Sequence, residues 1–136
     1  MGEVLSSLID DSYKQIIANT STTGSKRILE VIERGMAASN SFQPLRRFLS
    51  KDAQLGLKIA ASKHSPVQAR TIANLEKLLQ EEINLGHMVL PVSAAVMAYS
   101  LTRMIESFLY ADLITGEVPD LENASKIIKL MLRQVA

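Results

Sequence analysis

The sequence predicts an all-α fold, a bundle of six to seven helices. Three observations lead there. Apolar residues recur at three- and four-residue spacings along most of the chain, which lines up one face of a helix. No segment alternates polar and apolar residues for long enough to make a strand. Serine, proline and glycine signals divide the chain into helix-length pieces with short connections. The 136 residues suit a single helical unit over positions 1–136. With 47% apolar and 21% charged residues, the chain is hydrophobic enough to build a core.

The first helix runs from about Glu3 to Ala18, with Val4, Leu5, Leu8, Ile9, Tyr13, Ile16 and Ile17 on one face. The polar stretch NTSTTGS ends it, because these side chains compete for backbone hydrogen bonds. Ser25 is placed as N-cap of a second helix, with Ile28, Leu29, Ile32 and Met36 inward. Two short helices follow. Pro44 fits the first turn of one, with Phe42, Leu45, Phe48 and Leu49 clustered. Ser50 or Asp52 caps the other, with Leu55, Ile59 and Ala60 inward.

Ser65-Pro66 opens a long helix that reaches about Leu85, carrying Ile72, Leu75, Leu79, Glu82 and Ile83. Gly86 is a C′ residue, and the apolar linker HMVLPV is expected to pack on the body. Ser93 caps the next helix, placed over 93–115, which is apolar round most of its circumference. Pro119-Asp120 starts the last one, through about Val135. Its apolar arc is also wider than one small core needs, so a second subunit is expected to cover part of both helices.

Composition removes several chemistries. There is no cysteine, so disulfides, thiolate metal sites and cysteine nucleophiles are out. His64 and His87 have no acidic or histidine neighbour at helical ligand spacing, so no metal site is expected. Asp10-Asp11 and Glu81-Glu82 read as solvated charge rather than catalytic pairs, and no nucleotide-binding or hydrolase motif occurs. No catalytic residue and no cofactor is assigned. The net charge of +1 argues against a nucleic-acid surface, and Arg46, Arg47 and Lys51 read as a solvated face. No run of about 18 uncharged apolar residues could span a membrane. The acidic start MGEVLSSLIDD lacks the basic region of a signal peptide.

One polar constellation stands out. Tyr99, Arg103, Glu106 and Tyr110 follow at spacings of four, three and four on an otherwise apolar helix. A buried charge there needs a partner, and Arg103 and Glu106 can pair. Two readings stay open: an internal or intersubunit salt bridge, and a polar anchor in an apolar ligand pocket. Six methionines, Met36, Met97 and Met104 among them, are adaptable fillers that suit either a core or a pocket.

From Phe42 to about Leu132 the chain resembles the C-terminal domain of TetR-type transcriptional regulators, and most of all the QsdR-like subgroup. The likeness rests on PLRRFL at 44–49, EEINLGH at 81–87 and above all RMIESFLYADLITGEVPDLENA at 103–124. Residues 1–41 fit the leading helices of such a domain by length and pattern only.

The resemblance implies a cytoplasmic bacterial homodimer whose last two long helices form a four-helix bundle with the partner. Here that interface would carry Tyr110, Ile114, Leu121, Ala124, Ile128 and Met131. It also implies a mainly apolar pocket for a small-molecule effector. By position, Met36, Phe48, Ile59, Ile72, Leu75, Met97, Leu101 and Met104 are candidates, with Arg103 and Glu106 as polar members. Effector binding would alter dimer geometry and release DNA. DNA would be reached only through a helix-turn-helix head, whose pattern the residues before 42 do not show. The alternative is a head-less helical interaction module that pairs with an intact regulator.

Overall fold

A computed structural model describes residues 2–42, 46–47, 51–52, 54–55, 66–111 and 116–134. Among the described residues there are five helices and no strand. They are α1 (Gly2–Ala18), α2 (Gly24–Ser41), α3 (Pro66–Asn84), α4 (Ala94–Leu109) and α5 (Leu121–Met131). The two short helices expected between Phe42 and Ser65 fall largely outside the described residues. Leu55, expected inward, is exposed, and its N–H donates to Asp52 Oδ1 at 3.1 Å, as a capping aspartate requires.

Local signals explain three of the helix ends. Ser93 caps α4 by accepting from the Val96 N–H at 3.2 Å. Asp120 caps α5 by accepting from Asn123 at 3.0 Å. At the end of α3, the Gly86 N–H donates to Ile83 O at 3.0 Å and the His87 N–H to Glu82 O at 2.9 Å. That is the Schellman pattern, and Gly86 supplies the left-handed turn with φ +78. Two helices are shorter than expected: α4 stops at Leu109 and α5 at Met131.

Helix α2 departs from the expected start. It begins at Gly24 after an N-cap at Thr23, whose side chain makes no capping bond. Ser25 therefore lies inside the helix. The missing cap comes from Glu82 on α3: its Oε1 accepts the Gly24 N–H at 2.7 Å. Glu82 is 1% exposed, so it is not the solvated charge that the sequence suggested, whereas Glu81 beside it is exposed. Its carboxylate also meets Arg27 Nη1 at 3.4 Å and His87 Nδ1 at 3.3 Å. Burial alone would raise this carboxyl. The Gly24 N–H, His87 and Arg27 outweigh burial and hold it below the usual range.

The core lies where α2, α3, α4 and α5 converge. Ile28 and Ile32, Leu75 and Leu79, Leu101, and Ile128 supply its bulk. Ala98 and Ala124 are fully buried and let α4 and α5 approach closely. Each large side chain buried here stabilises the fold by roughly 1.5–3 kcal/mol. The linker after α3 packs inward only at Met88 and Leu90, while Val89 is exposed.

Helix α1 is attached differently. It packs on α2 and α3, yet Ile16, Ile17 and Tyr13 are only partly buried. Polar contacts fasten it to α3. Tyr13 Oη donates to Asn74 O at 2.9 Å, and Asn74 Nδ2 donates to Asp10 Oδ1 at 3.1 Å. The Asp10 carboxylate also lies 3.8 Å from Arg70. Burial, with Glu81 and Asp10 nearby, pushes the Tyr13 phenol up to about 12. This lateral attachment leaves space between α1 and the core.

Candidate ligand-binding cavity

That space is a half-open cavity of about 390 Å³ lined by α1, α2, α3 and α4. Its volume falls within the range of roughly 300–1,000 Å³ typical of small-molecule sites. Apolar side chains dominate its wall. Ile9 and Ile16 come from α1, Val31, Ile32 and Met36 from α2, Val67 and Leu75 from α3, and Ile105 and Leu109 from α4. Gly35 also faces it, and a Cβ built there would meet nothing within 4 Å.

The polar end of the cavity is built by α4. Thr102, Glu106 and Tyr110 follow at four-residue spacing and line the wall together. Glu106 is buried, and Gln68 Nε2 donates to both its oxygens at 3.0 Å. Arg103 Nη1 reaches Glu106 Oε1 from the outer side at 3.3 Å. Arg103 in turn donates to Tyr99 Oη at 3.2 Å and lies 5.3 Å from that ring centroid. Burial raises the Glu106 carboxyl above its usual range, against the opposing effects of Gln68 and Arg103. Burial also raises the Tyr110 phenol, and the neighbouring Glu106 adds to this while Arg46 opposes it.

The Tyr99-to-Tyr110 stripe thus joins an ion pair within the chain to the wall of the cavity. Arg103 and Glu106 form the pair, and Glu106 also lines the cavity. Of the other expected pocket residues, Met36 and Leu75 are on the wall. Met97 and Leu101 are buried in the core instead, and Ile72 and Met104 pack against it. Phe48 and Ile59 lie outside the described residues. The sequence reading missed the contribution of α1, although Ile9, Tyr13 and Ile16 stood at helical spacing. It also missed Gln68, for which no local signal exists.

Three of the expected interface positions are buried within the chain. Tyr110 is buried at the cavity, Ala124 and Ile128 are fully buried in the core, and Leu121 and Met131 pack against it. Ile114 lies outside the described residues. The outward apolar side chains of α4 and α5 are Val96 at 52% exposure, Tyr99, Ile127 and Leu130 at 63%. Among the described residues no cluster of histidine and acidic side chains could hold a metal, and no helix is long and apolar enough to cross a membrane.

Residues 23–133 match the family of tetracyclin repressor-like C-terminal domains. The chain belongs to that family. Its fold is also similar to the solved structure of the R. erythropolis transcriptional repressor QsdR from the TetR family. The TM-score is 0.88 at 25% sequence identity, over 96% of this chain and 69% of that one. No curated protein matches the chain. Membership in a tetracyclin repressor-like family points to transcription regulation rather than catalysis.

Proposed function

We propose that residues 1–136 act as one effector-sensing and dimerising unit of a TetR-type transcriptional repressor of the bacterial cytoplasm. The observation that carries this reading is the cavity: four helices line a mainly apolar, half-open space with a buried carboxylate at one end. Helix α1 is the movable wall, because it is held to α3 by polar contacts rather than by a full apolar seam. A small apolar effector that fits one position of α1 better than another shifts the population toward it. In the homodimer, that shift alters the spacing of the helix-turn-helix heads through which such regulators reach DNA, and the operator is released.

The dimer forms through the outward face of α4 and α5, with Val96, Tyr99, Ile127 and Leu130 covered by the partner. These side chains leave the apolar arcs of α4 and α5 wider than one chain's core can use.

A neutral, environment-sensitive dye, Nile red, tests the cavity directly. Wild type is expected to bind it saturably, and Gly35→Phe to abolish binding while the chain stays folded, since the new ring enters open space. Unchanged dye binding in a folded Gly35→Phe variant would place the dye elsewhere and defeat the reading.

A further inference from the structure

The wall chemistry also selects among ligands, an inference that rests on the cavity being the effector site. Among the described residues, the charged side chains on the wall are Asp11 and Glu106, and both are acids. Two described cations near this end, Arg103 and Arg46, are not part of the wall. Arg103 approaches Glu106 from the outer face, and Arg46 is close enough to act on Tyr110 without lining the cavity.

Three of the wall hydroxyls are also oriented as acceptors. Tyr13 Oη donates its proton to Asn74 O, Thr71 Oγ1 to Val67 O at 3.0 Å, and Thr102 Oγ1 to Ala98 O at 2.8 Å. Each spends its single donor on a backbone carbonyl and keeps only acceptor capacity for a guest. The Asn74 amide donates to Asp10.

Glu106 completes the pattern. Its Oε1 accepts from Gln68 and Arg103, whereas its Oε2 accepts from Gln68 alone. A carboxylate has about four acceptor sites, so Oε2 has one to offer. The upward shift of this carboxyl shows that its partners do not fully offset its burial.

We propose that the cavity takes an apolar molecule ending in a hydrogen-bond donor, cationic or neutral, with the donor on Glu106, and rejects molecules with an anionic head. An amine head gains a charge-assisted bond to the carboxylate. An alcohol head gains a weaker one. A carboxylate head brings a second negative charge beside Glu106, where no described wall residue carries a positive charge.

A matched series of n-octylamine, n-octanol and octanoate, each displacing Nile red from the wild-type chain at pH 7, tests this. The expected order is amine, then alcohol, then octanoate, with amine and octanoate separated by roughly ten- to a hundredfold. Glu106→Gln is expected to remove most of the amine's advantage over the alcohol. The wild-type order decides the matter even if that variant fails to fold. Octanoate binding as tightly as octylamine, or all three binding alike, would overturn the charge inference and leave the cavity as a ligand site. Failure of Nile red and of every octyl compound to bind would instead remove the reading on which the inference rests.

Discussion

The same substitution at two glycines of α2 should have opposite effects. At Gly24 the backbone is left-handed, with φ +64, and an added Cβ would stand 2.6 Å from the backbone oxygen of His87. The conformation alone costs Ala about 1–2 kcal/mol. Relieving the contact means separating the start of α2 from the loop after α3. That movement stretches the 2.7 Å bond from the Gly24 N–H to buried Glu82, and a hydrogen bond to a charged group is worth about 1.5–3 kcal/mol. Gly24→Ala should therefore destabilise by about 2.5–5 kcal/mol, a large share of the ~5–15 kcal/mol that holds a typical domain together. Gly35 has no left-handed backbone and open space at its Cβ position. Gly35→Ala should stabilise by about 0.5–1 kcal/mol, because alanine loses less conformational freedom in a helix. Urea unfolding followed by far-ultraviolet circular dichroism, at one fixed protein concentration, reads both. A Gly24→Ala variant within about 1 kcal/mol of wild type would refute the clash and the cap that Glu82 provides. A destabilised Gly35→Ala would refute the open space beside α2.

Three further predictions concern pH and assembly. The depressed carboxyl of Glu82 contributes stability that is present above the usual value of 4.5 and is lost as pH falls through its lower folded value. Glu82→Gln should lower the melting temperature at pH 7 and flatten the acid limb of the stability profile, and an unchanged limb would count against the Gly24–Arg27–His87 arrangement. The raised phenol of Tyr13 works at the other end: its contribution is full below pH 10 and is lost as pH rises through about 12. Tyr13→Phe should cost about 1 kcal/mol near neutrality and remove part of the alkaline loss, as read by unfolding at pH 7 and pH 11. Val96→Arg and Leu130→Arg should each convert a dimer to monomer in sedimentation equilibrium without lowering helix content, whereas Lys126→Arg, on an exposed position of α5, should leave the dimer intact.

Local chemistry was legible in the sequence, and distances between helices were not. Ser93, Asp120 and Gly86 act within a few residues of their own position, so their capping roles follow from residue type and spacing. The start of α2 does not, because its cap arrives from Glu82, 58 positions away. Glu82 did carry a signal: it continues the inward spacing of Leu75 and Leu79, whereas Glu81 falls about 100° away round the helix.

The cavity followed a similar rule. Periodicity put Met97 and Leu101 on one side of α4 and Ile105 next to them, with no indication of what each would meet. The lateral seat of α1 settles that, leaving Ile105 on the cavity while Met97 and Leu101 join the core. The same holds for three of the expected interface positions. Ala124, Ile128 and Tyr110 were recognisably apolar, but their partners lie within their own chain. The family likeness was carried by the stretch from Arg103 to Ala124, which holds both the polar end of the cavity and the cap of α5.

Amide hydrogen exchange of the wild-type chain, with and without saturating Nile red, tests the central claim most directly. Protection is expected to rise along α1 at residues 9–16 and along α4 at residues 102–110, the two walls that close on the guest. Protection confined to the outward residues Val92, Val96 and Tyr99, with α1 unchanged, would contradict it.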